Sequence, residues 1–241
     1  MKSVAALPVT HTQPAAQVTG PPVVLVHGFA SSGAADWPAD RWSEPLAKAG
    51  RETFVVHLPG HAGGPAAEST ADVTTGNLVR RLADGLPSSR IDLVGYSLGA
   101  RLAWDLAATR AVPVRRLVLG GMSPTEPFGM VDLAAARAAV RGGPSPADPL
   151  TTAITGMVRD QDADSLLRVV EGLAREPFDP AARVPRVPTL FIAGEDDPMS
   201  QGIDRLAALV PHALLQRVPG DHRGALTSEE LRTTVFRFLD V

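Results

Sequence analysis

The 241-residue chain contains no cysteine. A chain without thiols forms no disulfide and no thiolate zinc site, and it has no cysteine nucleophile. Aromatic residues make up only 5% of the chain, and no basic cluster stands out against a formal net charge of −3. Sulfur chemistry and nucleic-acid binding are therefore not expected.

Long hydrophobic runs are absent as well. No window approaches the run of about 18 apolar residues that a membrane-spanning helix needs, and the N-terminus lacks the apolar block of a secretory signal. The scattered histidines and carboxylates offer no metal-ligand set, and no G-x-G-x-x-G follows a strand-like run. We therefore expect a cytoplasmic protein with no membrane span, no metal and no cofactor.

What the chain does contain is short, valine-rich apolar runs that alternate with helical patterns. Runs of this kind are typical of strands buried on both faces; they are VVLVHG (23–28), TFVVH (53–57), IDLVG (91–95), RLVLG (116–120), PTLFIAG (188–194) and ALLQRV (213–218). Thr227-x-x-Glu230 has the pattern of a capping box before the last helix. The alternation predicts an α/β fold with a mostly parallel, doubly wound sheet.

One segment interrupts this alternation. Residues 123–187 contain several helical patterns and no good strand, which predicts a helical cap over one end of the sheet. The predicted domains are an extended lead-in at 1–20, with room for one edge strand, and a core formed by 21–122 and 188–241. Because open α/β sheets bind ligands at the carboxyl ends of their strands, functional residues are expected directly after the strands.

The first such residue is Ser97, in the sequence GYSLG (95–99) between a predicted strand and a predicted helix. Glycines on either side allow a sharp turn that exposes a serine hydroxyl, and the following helix N-terminus favours negative charge. A serine before a helix can also be a simple N-cap. The strand-turn-helix context favours a nucleophile.

Two further sets follow later strands. Asp196 and Asp197 come after the strand that ends at Gly194, and either carboxylate could orient a histidine. His222 lies in the loop before the last helix and could take the serine proton and return it to a leaving group.

A fourth set, VHGFASS (26–32), follows the first buried strand. The backbone N–H of Phe29 could serve as one oxyanion donor, with the N–H of Leu98 as the other. His27 is expected to be a buried polar anchor of this loop.

These motifs, in this order, resemble the α/β-hydrolase fold superfamily over residues 21–241: HGF, LPGH (58–61), GYSLG, GEDDP (194–198) and GDH (220–222). The order Ser, Asp, His along the chain is the one found in that superfamily. The resemblance implies a catalytic triad of Ser97, Asp197 and His222. It selects Asp197 over Asp196, because the family's acid is the last residue of a G-x-x-D pattern.

The leading functional hypothesis is a serine hydrolase that cleaves a carboxylic ester or thioester of a small-molecule acyl substrate, acting as a monomer or homodimer. The cap segment has no Trp or Tyr, so its pocket lining is expected to be aliphatic. Met122 and Met130 are predicted substrate contacts, and the remaining apolar candidates are Val131, Leu133, Ile154, Met157 and Leu166.

Two alternatives stay open. The sequence LVGYSLGAR (93–101) is also similar to the menaquinone-pathway lyase family, in which the serine acts as a base and arginines hold substrate carboxylates. That resemblance makes Tyr96 and Arg101 substrate contacts, with Arg137 and Arg141 as further candidates. The third hypothesis is a non-catalytic binding protein of the same fold, although such proteins usually lose a triad residue.

Overall fold

The sheet has seven strands in the computed structural model, which describes residues 5–14 and 16–241. In chain order the strands are β1 (Val9–Thr12), β2 (Val23–Val26), β3 (Thr53–Val56), β4 (Ile91–Tyr96), β5 (Val114–Gly120), β6 (Thr189–Gly194) and β7 (Leu214–Val218). Their order across the sheet is β1-β3-β2-β4-β5-β6-β7. All neighbours are parallel except β1 and β3, which pair antiparallel. This confirms the predicted mostly parallel α/β fold.

Ten helices connect and cover these strands in the described residues. They are α1 (Gly33–Asp36), α2 (Ser43–Lys48), α3 (Thr75–Gly85), α4 (Leu98–Thr109), α5 (Leu133–Val140), α6 (Pro149–Val158), α7 (Ala163–Arg175), α8 (Ile203–Ala207), α9 (His222–Thr227) and α10 (Glu229–Leu239). Three short 3-10 turns add Ala71–Val73, Phe128–Met130 and Pro198–Ser200.

The central strands are apolar because both of their faces are covered. Every residue of β2, β4 and β6 is buried. Side chains alternate between the two faces, so Val24 and Val26 join one core with Trp104, whereas Val23 and Leu25 join a second core. The sheet is therefore the middle layer of three, and the ends of its strands are the places left for a site.

Strand β1 lies within the segment predicted as an extended lead-in. It pairs with β3 at the sheet edge, with Val9 opposite Val56 and Thr12 opposite Thr53. Residues 1–4 and 15 of that predicted segment lie outside the described residues.

The long stretch between β5 and β6 is helical, as its sequence pattern predicts. It holds α5, α6 and α7, and no strand occurs between Gly120 and Thr189, a stretch that is described throughout. Helix α7 packs against the 3-10 turns at 71–73 and 128–130. The insertion is thus attached to the body of the fold on the side that follows the strand ends.

The predicted capping box at the last helix is wrong by one residue. Thr227 ends α9, and Ser228 is the N-cap of α10, where its hydroxyl accepts a hydrogen bond from the N–H of Leu231 over 3.0 Å. Both residue types cap helices well, so the sequence pattern alone does not separate them.

Candidate active site

Ser97 occupies the sharp turn between β4 and α4. Its backbone has φ 53° and ψ −117°, a conformation that non-glycine residues rarely adopt. Its N–H donates to the carbonyl of Gly120 over 2.8 Å, and its hydroxyl makes no capping hydrogen bond to α4. The serine is therefore held in a strained turn with its hydroxyl free of the helix.

The two glycines of the motif are needed for close backbone packing. A Cβ on Gly95 would lie 2.3 Å from the carbonyl oxygen of Gly99, and one on Gly99 would lie 2.1 Å from that of Val26. Neither distance is compatible with a side chain. The serine itself takes the positive-φ conformation, and the glycines let the strand and helix approach each other.

Asp197 and His222 are hydrogen bonded to each other. Oδ2 of Asp197 lies 2.8 Å from Nδ1 of His222, and it also accepts the hydroxyl of Ser200 over 2.9 Å. Oδ1 accepts the N–H of Met199 over 2.9 Å. Asp197 is buried, whereas Asp196 is exposed. The structure thus brings Asp197, and not Asp196, to the histidine.

These hydrogen bonds determine the charge of the acid. Burial alone would raise the pKa of Asp197, but the hydrogen bond and charge of His222 and the bond from Ser200 outweigh it and lower the pKa below its usual range. An ionised carboxylate only accepts hydrogen bonds, so Nδ1 of His222 carries the hydrogen and Nε2 keeps its lone pair. In that tautomer, Nε2 of His222 can accept a proton from a hydroxyl group.

Tyr96, a predicted substrate contact, faces the backbone of the histidine loop instead. Its hydroxyl donates to the carbonyl oxygen of His222 over 2.6 Å, and its ring lies where a Cβ on Gly121 would collide with it. Burial, reinforced by the charge of Asp197, raises the pKa of Tyr96, so the phenol remains a donor. Tyr96 fixes the position of His222 and does not line the cavity that contains Ser97.

The loop after β2 contains a backbone N–H that no acceptor in the described residues engages. The N–H of Gly28 donates to Asp36 Oδ2 over 2.7 Å, and the N–H of Ala30, a residue with φ 53°, donates to His61 Nε2 over 3.0 Å. The backbone N–H groups on both sides of Phe29 are thus hydrogen bonded. In residues 5–14 and 16–241, the backbone N–H groups of Phe29 and Leu98 have no protein acceptor.

The same loop lies directly against the turn of Ser97. A Cβ built on Gly28 would be 3.4 Å from Cβ of Ser97. Phe29 and Leu98, whose N–H groups have no acceptor among the described residues, line the same cavity as Ser97.

Two buried histidines hold this loop in place. His27 accepts the N–H of Leu58 at Nε2 over 3.2 Å, and its Nδ1 lies 2.9 Å from the carbonyl of Gly28. His61 donates from Nδ1 to the carbonyl of Pro59 over 2.8 Å. Burial, together with the neighbouring His27, lowers the pKa of His61 to about 3, and burial also lowers that of His27. Both rings are therefore uncharged, and their hydrogen bonds hold the loop in position.

A cavity of about 530 Å³ opens onto Ser97 and His222. Its apolar lining comes from the body of the fold and from the helical insertion, and it includes Phe29, Leu98, Met122, Phe128, Ile154 and Phe178. The lining was predicted to be aliphatic, and it is partly aromatic, because three phenylalanines converge there. Met157 also lines the cavity, and so do Leu150 and Met199, neither of which the sequence pattern marked.

Several predicted contacts are not brought into this cavity. Met130 is 67% exposed. Like Met130, the remaining apolar candidates Val131, Leu133 and Leu166 do not line the cavity. Apolar spacing on these segments reflects packing of the insertion against itself and the core, as Leu166 at 0% exposure illustrates.

Arg101 reaches the cavity but is engaged by the protein. Its guanidinium forms an ion pair with Glu126 and donates through Nη2 to Thr75 Oγ1 and the carbonyl of Glu176, each over 2.7 Å. Burial lowers the pKa of Arg101 and raises that of Glu126, although each charge favours the other. Glu126 had no recognisable signal in the sequence.

The other predicted arginines lie on the insertion and pair within it. Arg137 donates to Glu171 over 2.6 Å, and Arg141 lies 3.6 Å from Asp164. Neither lines the cavity, whose two arginines are Arg101 and the exposed Arg223 next to His222.

Over the described part of the chain, no helix is long and apolar enough to cross a membrane. In the same residues, no three His, Asp or Glu side chains form a group that could hold a metal ion.

Comparison with known proteins agrees with this fold. A sequence model of the alpha/beta hydrolase family matches residues 23–232. A stretch of 104 residues is 36% identical to a pimeloyl-[acyl-carrier protein] methyl ester esterase from Aromatoleum aromaticum. That stretch covers 43% of this chain and only 38% of the relative's length.

Solved structures show the same fold over nearly the whole chain. A hydrolase from Pseudomonas aeruginosa superimposes with a TM-score of 0.73 at 22% identity, covering 97% of this chain and 94% of the other. MenH from S. aureus superimposes with a TM-score of 0.71 at 21% identity, covering 96% and 97%. At these identities the likeness concerns the fold alone. With the family match over most of its length, the chain belongs to the alpha/beta hydrolase family.

Proposed function

We propose that this protein is a serine hydrolase that cleaves a carboxylic ester or thioester through an acyl-enzyme on Ser97. The observation that carries the proposal is the pairing of His222 with buried Asp197 at 2.8 Å beside a serine held at φ 53°. Both Ser97 and His222 line one cavity. This combination of strained serine, imidazole and carboxylate is the arrangement that nucleophilic acyl transfer requires.

In the proposed first step, Nε2 of His222 accepts the hydroxyl proton while Oγ of Ser97 attacks the acyl carbonyl carbon. Asp197 stabilises the imidazolium, and the N–H groups of Phe29 and Leu98 bind the oxyanion. The tetrahedral intermediate collapses, and the alcohol or thiol leaves with the proton from His222.

In the second step, His222 takes a proton from water, and the resulting hydroxide attacks the acyl-serine carbonyl carbon. The carboxylic acid is released, and Ser97 recovers its proton from the imidazolium. The water therefore supplies the hydroxyl group of the acid product, and no other reactant is needed.

The cavity supports an apolar acyl group as the substrate portion. Phenylalanine, methionine and isoleucine side chains from the helical insertion and the core surround it, and we propose that residues 123–187 act as its cap. The 36% identical stretch shared with a methyl ester esterase agrees with ester cleavage.

The lyase alternative has one observation in its favour, the presence of two arginines, Arg101 and Arg223, in the cavity wall. The charge of Arg101 is already balanced by Glu126, and Arg223 is an exposed side chain. Arg137 and Arg141 lie outside the cavity and pair within the insertion. A hydrolase therefore accounts better for the site than a reaction that requires several arginines for substrate carboxylates. The intact set of Ser97, Asp197 and His222 argues against a non-catalytic binding protein.

Labelling with a fluorophosphonate tests the proposal. The wild-type protein should be labelled stoichiometrically and should hydrolyse p-nitrophenyl acetate and butyrate. Ser97→Ala should lose both, and His222→Ala should lose turnover, while each variant keeps the wild-type circular dichroism spectrum. If the folded wild-type protein neither labels nor hydrolyses these esters, the proposal is wrong.

A further inference from the structure

The carboxylate of Glu126 is bound by donors from two parts of the chain. The guanidinium of Arg101, on α4, forms an ion pair with it, and the N–H of Phe128 donates to Oε1 over 2.9 Å. Burial raises the pKa of this carboxyl, and the backbone N–H of Phe178 is among the groups that oppose the rise. The Arg101 and Glu126 side chains are only 8% and 7% exposed. A guanidinium and a backbone N–H that bind the same carboxylate are suitable donors for a carboxylate-binding site.

This donor set belongs to the cavity of Ser97. Arg101, Glu126, Phe128 and Phe178 all line the cavity that contains the serine. The site that could hold a substrate carboxylate is therefore present, but a side chain of the protein itself occupies it.

Arg101 does not depend on Glu126 for its position. Its Nη2 donates to Thr75 Oγ1 and to the carbonyl oxygen of Glu176, and those contacts come from other elements. Removing the Glu126 carboxylate should leave the guanidinium in place with its Nη1 facing the vacated space. The guanidinium would therefore already be in position to bind a substrate carboxylate.

We propose that Glu126 is a specificity-determining residue that occupies this carboxylate subsite, so that the cavity accepts acyl groups with an uncharged distal end and rejects those ending in a carboxylate. The inference rests on the proposed hydrolase function. A substrate carboxylate reaching the subsite would meet the like charge of Glu126 and find its donors already engaged, and a buried unpaired charge is strongly unfavourable.

The first test compares matched esters. Each neutral p-nitrophenyl ester, from butanoate to octanoate, is paired with the mono-p-nitrophenyl ester of the dicarboxylic acid of the same length. The readout is the ratio of kcat/KM for the carboxylated ester to that for its neutral partner. Wild type should favour the neutral ester at every length. Glu126→Ala should raise the ratio about tenfold or more at the length that reaches Arg101, since charge-assisted hydrogen bonds carry discrimination of this order.

Two further variants control this comparison. Glu126→Gln keeps the volume of the side chain and should change the ratio by less than about threefold, because the subsite stays filled. Glu126→Ser also removes the carboxylate and empties the subsite, so it replaces Glu126→Ala if the alanine variant fails to fold. A ratio in both vacating variants within about twofold of wild type would overturn the inference, and so would a wild-type preference for the carboxylated ester.

A second readout needs no hydrolysis. The thermal unfolding temperature is measured in sodium acetate and in sodium chloride at equal ionic strength. Acetate should raise it in Glu126→Ala relative to chloride, and should have no such effect in wild type or in Glu126→Ala/Arg101→Gln. No acetate effect in either vacating variant contradicts the inference. If wild type hydrolyses no ester, the proposed function fails, and the acetate measurement alone decides whether the subsite exists.

Discussion

At the scale of single residues, two neighbouring aspartates after β6 have opposite surroundings. Asp197 is buried and accepts hydrogen bonds from His222, Ser200 and the N–H of Met199, whereas Asp196 is exposed. Only one of the two carboxylates can therefore fix the tautomer of His222. The exposed one is free to be replaced.

We expect Asp197→Asn to reduce kcat by about 1000-fold or more, because an amide at this position favours the wrong tautomer of His222. Asp196→Asn, the matched control one residue away, should retain most of the wild-type kcat. Steady-state hydrolysis of p-nitrophenyl butyrate measures both. An active Asp197→Asn together with an inactive Asp196→Asn would show that the acid is misassigned.

The sequence indicated which residues follow the strands, but it did not indicate where each side chain points. Ser97, Asp197 and His222 were predicted from motifs in a fixed order, and the structure brings the last two together. Tyr96, next to the serine, was predicted as a substrate contact, yet it points to the backbone of His222 because alternate residues of a strand face opposite sides. Glu126 escaped prediction because its role depends on contacts from distant segments.

At the scale of elements, the loop after β2 depends on two histidines that remain neutral. His61 accepts the N–H of Ala30 and donates to Pro59, which leaves the neighbouring N–H of Phe29 without a protein acceptor. Protonating His61 at Nε2 would turn this acceptor into a donor and break the contact with Ala30. The loop conformation and the protonation state of His61 are therefore linked.

This link predicts a loss of stability in acid. The pKa of His61 is lowered by burial from 6.5 to about 3 in the folded protein. Below pH 6.5 the unfolded chain binds a proton at this position that the folded protein does not bind. The free energy of unfolding should therefore fall as pH drops from about 6.5 towards 3, by up to about 1.4 kcal/mol per pH unit from this residue.

Urea denaturation across this pH range measures the effect. His61→Gln should give a shallower slope than wild type, because glutamine binds no proton in this range. His212→Asn is the matched control, since it removes an exposed histidine whose left-handed backbone, with φ 59°, asparagine tolerates. Equal slopes in wild type and His61→Gln would contradict this account of the loop.

The sequence predicted the positions of uniformly buried strands well, but it predicted the first and last residues of elements less well. Strands β2, β4 and β6 are buried throughout and largely apolar because helices cover both of their faces. The start of α10 was misplaced because Thr227 and Ser228 are both good N-caps.

At the scale of the whole molecule, the cavity forms where the helical insertion meets the strand ends. Ile154 of α6, Phe128 of the insertion and Phe29 of the core all contribute to it. Apolar spacing in the insertion predicted helices, but it could not separate residues that pack inward from those that face the cavity. Met130, predicted to face it, is 67% exposed for this reason.

The size of this cavity predicts a limit on acyl chain length. Each methylene buried contributes about 0.8 kcal/mol, so kcat/KM for p-nitrophenyl esters should rise by up to about fourfold per carbon until the cavity is full. Ile154→Phe should shift the optimum to shorter chains by filling part of the 530 Å³ cavity. Met130→Phe, at an exposed position, should leave the optimum unchanged; an identical optimum in Ile154→Phe contradicts the assignment of the acyl site.

The central claim, a covalent acyl-enzyme on Ser97, is tested most directly by rapid-quench mass spectrometry of the intact protein mixed with p-nitrophenyl butyrate. We predict a species heavier by one butyryl group, located on the peptide that contains Ser97, which accumulates when deacylation is slowed and is absent in Ser97→Ala. Turnover of the ester without any acylated protein, or with the butyryl group on another residue, would contradict the account.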